Sequence, residues 1–554
     1  MSPDVSTLAS RRHQMFPVLD AEEIRRVTPL GELRGFAADE SLATAGRRTH
    51  GVMIILSGAV RVFRKDITGV EEPIVTYGPG GFLGGLEQLS GQPSLVDAHA
   101  VGAVTALVLV PERLRTLFVH EAALGERILR ALILRRVLLL EAGTGGPLIV
   151  GHAHNRDVIR LEEFLRRNAH PRQTLDATAD PEAKAFMERF HLDATDLPVV
   201  LCPNGELLRN PGEEELARCL GLVSSVDAAR TYDVAVVGAG PAGLSTAVYA
   251  ASDGLSVLML DQHAFGGQAG ASSRIENYLG FPTGISGMAL TARAYNQAQK
   301  FGVETAIPKT VVNVEACLGR FVLHLSDAEC VHTRAVIVAT GARYRALAVD
   351  GLKNFEGSSI HYWASPLEGR LCAGQEVVVV GGGNSAGQAT VYLATLVSKV
   401  WLLLRGAELG AKMSSYLANR VAGLENVQVV PQANITGLEG VNGFLEAVCW
   451  RQLNNPEVRR PIHHLFLFIG AEPNSAWLTA SGVALDTRGF VLTGKGLDKR
   501  SLETSRSGIF AVGDIRSGSA KRVATAVGDG AQVVADLHEY LESLPGTMAD
   551  RSMA

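Results

Sequence analysis

Three kinds of apolar patterning follow one another along the chain. Up to residue 142 the hydrophobic runs are short and rich in β-branched residues, at 52–63, 73–77 and 101–110, with glycine turns between them. Such runs predict an antiparallel roll. A longer segment, from about residue 111 through 140, places Leu129, Leu132, Leu134, Val137 and Leu138 on one apolar face and predicts a single closing helix. Between 147 and 225 short strands alternate with amphipathic helices: a strand at 147–150, a helix at 157–168 with Val158, Leu161, Phe164 and Leu165 on one face, a strand at 174–176, a helix at 181–190, and a strand entered through Pro198. Beyond residue 231 apolar strands at 234–237, 336–338 and 377–380 alternate with helical runs, as in α/β layers.

Length turns this pattern into several domains. At 554 residues the chain is too long for one core, and one domain per about 150 residues predicts about three or four. The composition, 47% hydrophobic and 20% charged, is that of a soluble globular protein, and a net charge of -5 gives no electrostatic reason to bind nucleic acid. The start Met1-Ser-Pro-Asp4 lacks the basic and apolar regions of a signal peptide, and no apolar run approaches the roughly 20 residues of a membrane span. A soluble, cytoplasmic protein is expected. The six cysteines, Cys202, Cys219, Cys317, Cys330, Cys372 and Cys449, show no C-x-x-C and no paired Cys/His spacing. That argues against a disulfide framework, a local dithiol and a metal site, so no metal is expected.

Two of the apolar strands run into glycine clusters. The first gives Gly238-Ala-Gly240-Pro241-Ala242-Gly243, a helical run, and a second strand ending on Asp261. Gly238 permits the tight turn, Gly240 lets backbone approach a pyrophosphate, and Gly243 lets helix and strand pack closely. The helix start supplies free N–H groups and a positive dipole end for phosphates, and Asp261 is placed to hold a ribose. The second cluster reads Gly381-Gly-Gly383-Asn384-Ser385-Ala386, and the strand after its helix ends at Arg405 without an acid, with Lys412 nearby. An acid there would repel a 2′-phosphate, so NADPH is expected over NADH.

Between and beyond these motifs the sequence becomes specific. Gly266-Gly267-Gln268 and Glu276-Asn277-Tyr278-Leu-Gly280-Phe281 follow Asp261; Ala339-Thr-Gly341 ends one strand, and Ala511-Val-Gly513-Asp514 ends a distant one before Lys521-Arg522-Val523. Together they resemble bacterial thioredoxin reductase. The resemblance implies an FAD wrapped by Gly266, Gly267, Gln268 and Asn277, an FAD domain resumed far downstream with Ala339, Gly341, Gly513 and Asp514 at the flavin, a helix opening at Lys521, Arg522 and Val523 aimed at its pyrimidine, and a homodimer. In that family a C-A-T-C dithiol precedes the second nucleotide motif. Here the place reads Ile360-His361-Tyr362-Trp363-Ala364-Ser365-Pro366, with Trp363 and Pro366 at the cysteine positions. Hydride can still pass from NADPH to FAD, but not onward through an internal disulfide. Trp363 stacked on the flavin would restrict the acceptor, and His361 is the adjacent candidate proton donor.

The front of the chain carries two further resemblances. Ile55-Leu-Ser-Gly-Ala-Val-Arg-Val62 with Gly81-Phe-Leu-Gly-Gly-Leu-Glu87 resembles a cyclic-nucleotide-binding domain, although Gly85 and Ser94 stand where that family has the ribose Glu and phosphate Arg. Without the guanidinium a cyclic phosphate loses its strongest contact, which favours docking or another ligand. Residues 147–225 resemble thioredoxin, with Pro198 as its cis-proline and no thiol after the first strand, where Gly151-His152-Ala-His154 stands. A docking or spacer role fits, with Cys202 as a buried small residue or a lone thiol for a partner.

The expected fold is therefore multidomain: a β-roll over 1–142, a C-x-x-C-less α/β thioredoxin-like unit over 147–225, a discontinuous three-layer α/β FAD domain over 231–345 and 470–545, and an α/β NADPH domain over 346–469. The expected activity is hydride transfer from NADPH to FAD and on to an unidentified acceptor: a quinone, a ferredoxin or flavodoxin, oxygen, or a partner disulfide. Thioredoxin reduction through a non-standard thiol and a ligand- or redox-responsive signalling protein stand as alternatives.

Overall fold

The computed structural model describes residues 11–544 apart from 66–69, 143–145, 154, 224–225, 273, 318, 357, 412, 442 and 495–498. In the amino-terminal roll the strands lie in the order Glu32–Phe36, Asp97–Leu109, Val52–Lys65, Glu71–Tyr77, all antiparallel. Alternation along Val52–Lys65 divides its burial between two sides. Val52 and Ile54 pack on Leu114, Leu117, Ile128 and Leu132 of the closing helices, while Met53, Ile55, Val60 and Val62 fill the interior of the roll.

The single closing helix expected over 111–140 is instead two, Pro111–His120 and Ala122–Ala142. Glu121 leaves the helical region at φ -116 and ψ 64, and its carboxylate pairs with Arg26. A Cβ on Gly125 would come within 2.8 Å of Phe118 Cα, so glycine permits the close crossing that follows the break.

The second unit is a four-stranded sheet in the order Leu207–Arg209, Val199–Leu201, Leu148–Gly151, Gln173–Asp176, with the last pair parallel and the others antiparallel. The helices Arg156–Arg167, Pro181–Arg189 and Glu213–Cys219 complete a thioredoxin-like fold, and the Leu197–Pro198 peptide is cis. Here the expectation of unpaired cysteines is corrected. Cys202, at the end of a strand, is bonded to Cys219, at the end of the last helix, with Cα atoms 6.4 Å apart. Their separation of 17 residues spans a turn, a strand and a helix, so no local spacing announces the bond.

The remaining chain forms two α/β layers. A seven-stranded sheet is built around the parallel strands Val257–Leu260, Thr231–Val237 and Cys330–Val338, and Ile509–Ala511 returns from far downstream to pair in parallel with Cys330–Val338. A five-stranded parallel sheet holds Ile360–His361, His464–Leu467, Glu376–Val380, Lys399–Leu403 and Val427–Val430. The chain crosses between the two layers twice, at Ala342–Tyr344 and Ala471–Pro473, which pair antiparallel.

The front units are seated on these two α/β layers. Arg136 donates to Ala169 O, at 2.7 and 3.1 Å, and so ties the second closing helix to the thioredoxin-like unit. From that unit Arg167 Nη2 donates to Gly267 O at 3.2 Å and Asn168 Nδ2 to His263 O at 3.1 Å. A cavity of about 570 Å³ lies between the second closing helix and the helix Gly287–Lys300.

Candidate active site

The first glycine cluster is fixed by close backbone approaches. Gly238 has φ 112, and a Cβ there would run into Ala339 O; one on Gly243 would strike Gly238 O. At Gly240 the nearest atom to an added Cβ is Gly267 Cα at 3.8 Å, and a Cβ on Gly267 would come within 2.9 Å of Gly240 Cα, so the two glycine loops approach each other closely. The helix Pro241–Ser252 starts there with Gly240 as its N-cap and no side chain covering its first amides, which leaves Ala242 and Gly243 in a first turn suited to an anion. Asp261 is held by its own backbone surroundings: it accepts from Ala239 N at 2.9 Å and from His263 N at 3.0 Å. Glycines at contact distance, bare helix amides and an anchored carboxylate fit the pyrophosphate and ribose of a dinucleotide.

The loops expected around a flavin converge on the same end of the sheet. Gly266 and Gly267 both take positive φ, 93 and 53, and Gln268 Nε2 donates to Ala342 O at the crossing between layers. Asn277 is exposed, while its neighbour Glu276 pairs with Arg420 of the other layer at 2.9 Å. Ala339 is buried, and Gly341, at φ 63, has open space around an added Cβ. Gly513 abuts Ala242, with an added Cβ 2.8 Å from that residue's Cβ. Burial pushes the Asp514 carboxyl above its ordinary range, Lys521 opposing. Lys521 Nζ donates to Asp514 O at 3.0 Å and lies 4.1 Å from the Phe490 ring centre. The helix expected from Lys521 begins at Val523 with Arg522 as N-cap, because Lys521 itself sits at φ 51, outside the helical region. A half-buried acid just beyond the returning strand suits the hydroxyl-rich chain of a flavin cofactor.

Sequence reasoning missed Tyr344. It lies on the crossing strand; burial, with the nearby Asp514 carboxylate adding to it, pushes its phenol up to about 12. Its ring is stacked with Tyr362 at 6.5 Å and edge-on to Phe468 at 6.3 Å, so an aromatic column joins the flavin end of one layer to the Trp363 segment of the other. No spacing marks it, because Tyr344 lies on the crossing strand whereas Tyr362 follows the strand Ile360–His361 of the five-stranded sheet.

In the second cluster Gly381 has φ 147, and an added Cβ would meet Phe468 O and Ala386 Cβ. Gly383 is open, Ser385 exposed, and Asn384 Oδ1 accepts from Ser414 N at 2.7 Å, which tucks the loop after the second strand toward the helix start. Arg405 is exposed and has no partner among the described residues. Lys412 lies outside the described residues.

At the place of the expected relay the chain builds a helix start instead. Ser365 and Glu368 form a reciprocal capping box on Pro366–Leu371, with Pro366 in the first position. Glu368 Oε1 also accepts from Trp363 Nε1 at 3.0 Å. His361 is a packed sheet residue, 6% exposed, with Nε2 3.0 Å from His464 Nδ1 and its ring 4.8 Å from that of Phe466. Burial lowers its pKa to about 3, so at neutral pH it carries no proton to donate as an imidazolium. Cys372 is fully buried and its thiol is pushed up to about 12 by burial, the opposite of what a nucleophilic thiolate needs.

Comparisons with known proteins agree with this geometry. The model of the pyridine nucleotide-disulphide oxidoreductase family matches residues 232–530, and that of the cyclic nucleotide-binding domain matches 33–121. The thioredoxin reductase of Bacillus subtilis is 33% identical over 322 residues, covering 58% of this chain and 98% of that protein. That of Treponema pallidum is 33% identical over 319 residues, 56% of this chain and 98% of that protein. Among solved structures, T. acidophilum thioredoxin reductase superposes with a TM-score of 0.52 at 30% identity, covering 57% of this chain and 99% of its own. Lactococcus lactis thioredoxin reductase in its FR conformation gives 0.53 at 27% identity, covering 57% and 100%. No helix among the described residues is long and apolar enough to cross a membrane.

Proposed function

Because the chain belongs to the pyridine nucleotide-disulphide oxidoreductase family and is thioredoxin reductase-like within it, a family that works with FAD and NADPH, we propose that it delivers electrons from NADPH through FAD to an acceptor other than an internal dithiol. The observation that carries this is the segment Trp363–Pro366, where an indole and a capped helix start replace two sulfurs. The bound cofactors supply hydride transfer and two-electron storage. The chain's own residues do the rest. Gly240, Ala242 and Gly243 receive phosphate, Asp261 and Asp514 accept hydroxyls, and Arg405 offers a free guanidinium to a 2′-phosphate. Cys372, buried and protonated, takes no part.

Anaerobic mixing with NADPH is expected to bleach the flavin, and reoxidation by a panel of quinones, ferredoxins, oxygen and disulfides identifies the acceptor. Efficient turnover with thioredoxin alone would end the proposal. A second reading is favoured by one observation, the bond between Cys202 and Cys219 in the thioredoxin-like unit: this disulfide is the electron sink. A gain of two titratable thiols per chain on adding NADPH, over those of the free cysteines such as Cys317, with no such gain in Cys219→Ser, would establish it. We also propose a cytoplasmic homodimer, consistent with the family resemblance; light scattering at the mass of a single chain would overturn the dimer.

A further inference from the structure

The roll encloses a cavity of about 60 Å³. Its body is apolar, walled by Met53, Val62, Val75, Leu83, Val96 and Leu139. Ligand sites for drug-sized molecules run from about 300 Å³, whereas a water takes about 10–15 Å³, so this space holds a handful of heavy atoms rather than a nucleotide. The residues that would meet a cyclic phosphate are absent or engaged. Ser94 Oγ donates to Val96 O at 2.8 Å, and the carboxylate of Glu87 lies over Gly85, in the space a side chain at 85 would occupy.

One group in the wall is unsatisfied. Arg135 is 8% exposed and its guanidinium is enclosed by the rings of Phe82, Tyr77 and Phe16, at 4.4, 5.2 and 5.5 Å. Its Nε donates to Met15 O at 2.9 Å, and its Nη1 to Phe82 O at 3.0 Å and Gly84 O at 2.9 Å. Nη2 is buried and has no acceptor among the described residues. All three partners are neutral carbonyls, so nothing bonded to Arg135 balances its charge. The cavity wall as a whole holds two guanidinium groups, Arg135 and Arg136, against one carboxylate, Glu87. A buried cation left with an open donor is the arrangement that an incoming anion repairs.

From the orphaned donor, the excess positive charge, the apolar walls and the size, we infer that the roll binds a small apolar monocarboxylate, its carboxylate accepting from Arg135 Nη2 and its aliphatic body packed between Met53, Val62 and Leu139. The inference stands apart from the choice of electron acceptor, because it concerns a site in a different domain.

The test uses the full-length flavoprotein and isovalerate as the probe, followed by calorimetry and by the thermal midpoint, with isovaleramide, cyclic AMP and cyclic GMP alongside. Isovalerate is expected to bind once per chain and raise the midpoint, and isovaleramide, which lacks the charge, to bind at least about tenfold more weakly. Arg135→Gln should remove the binding. Since that change also strips three backbone contacts, Leu139→Trp, which fills the space and leaves Arg135 in place, should remove it in a chain that still holds flavin. Equal affinity for the amide, tighter binding of a cyclic nucleotide, or undiminished binding in Leu139→Trp would each overturn the inference, as would the lack of any heat with isovalerate at about 10 mM, the weak limit of a specific site.

Discussion

The indole Nε1 of Trp363 donates to Glu368 Oε1 at 3.0 Å, and the same carboxylate, 3% exposed, caps its own helix through Ser365 N at 2.8 Å. The segment is thus a packed, capped helix start rather than an emptied redox centre. Glu368→Ala is expected to lose about 1–3 kcal/mol of stability, from the cap and from a buried indole donor left without its acceptor. Urea unfolding measures it, and a loss well under 1 kcal/mol would mean that the capping box contributes little.

Arg405, two residues beyond the strand Lys399–Leu403, is exposed and without a partner among the described residues. A charged hydrogen bond is worth about 1.5–3 kcal/mol, so Arg405→Ala should lower kcat/KM for NADPH by roughly ten- to a hundredfold. The same parameter for NADH should hardly change. Parallel losses with both nicotinamides would place Arg405 at a part of the cofactor common to the two.

How much of this could be read beforehand depends on the range of the interaction. Gly238 and Gly243 were legible because each answers a steric demand made within a few residues and repeated in every strand–turn–helix of this kind. The return of Ile509–Ala511 beside Cys330–Val338 was legible only through family resemblance, since a strand of three apolar residues names no partner. The break at Glu121 was hidden by a continuous helical pattern, and it is Arg26, 95 residues away, that pairs with the residue at the break. The pairing of Cys202 with Cys219, the stacking of Tyr344 on Tyr362 and the place of Glu87 over Gly85 are all made by tertiary packing, which periodicity does not record.

Asp514 connects stability to function with opposite signs. Burial raises its carboxyl pKa, so the folded chain without cofactor pays for ionising it. That penalty is absent below the ordinary value of 3.8, grows as pH rises through the raised value, and is fully present at neutral pH. Asp514→Asn is therefore expected to leave the flavin-free protein as stable as wild type or more so at pH 7, while weakening FAD binding. Thermal melts of the apoprotein and fluorescence titration with FAD check both halves. A destabilised apoprotein would show that the ionised carboxylate is compensated by its neighbours before any cofactor arrives.

The two most deeply buried imidazoles among the described residues should set the acid limit of the fold. Burial lowers His361 to about 3, and burial together with the Arg136 guanidinium lowers His170 to about 3 as well. Both are depressed below the ordinary 6.5, so the unfolded chain takes up protons that the folded chain refuses. Their contribution is fully present above pH 6.5 and is lost as pH falls toward 3, each adding a slope of up to about 1.4 kcal/mol per pH unit. Above pH 5 most carboxylates remain ionised, so between 6.5 and 5 the slope belongs chiefly to histidines. The urea midpoint should decline over that interval in wild type and decline less in His170→Gln with His361→Gln. An identical slope in the double variant would mean that both rings are protonated in the folded chain, with the His361–His464 contact opening to water before the sheet does.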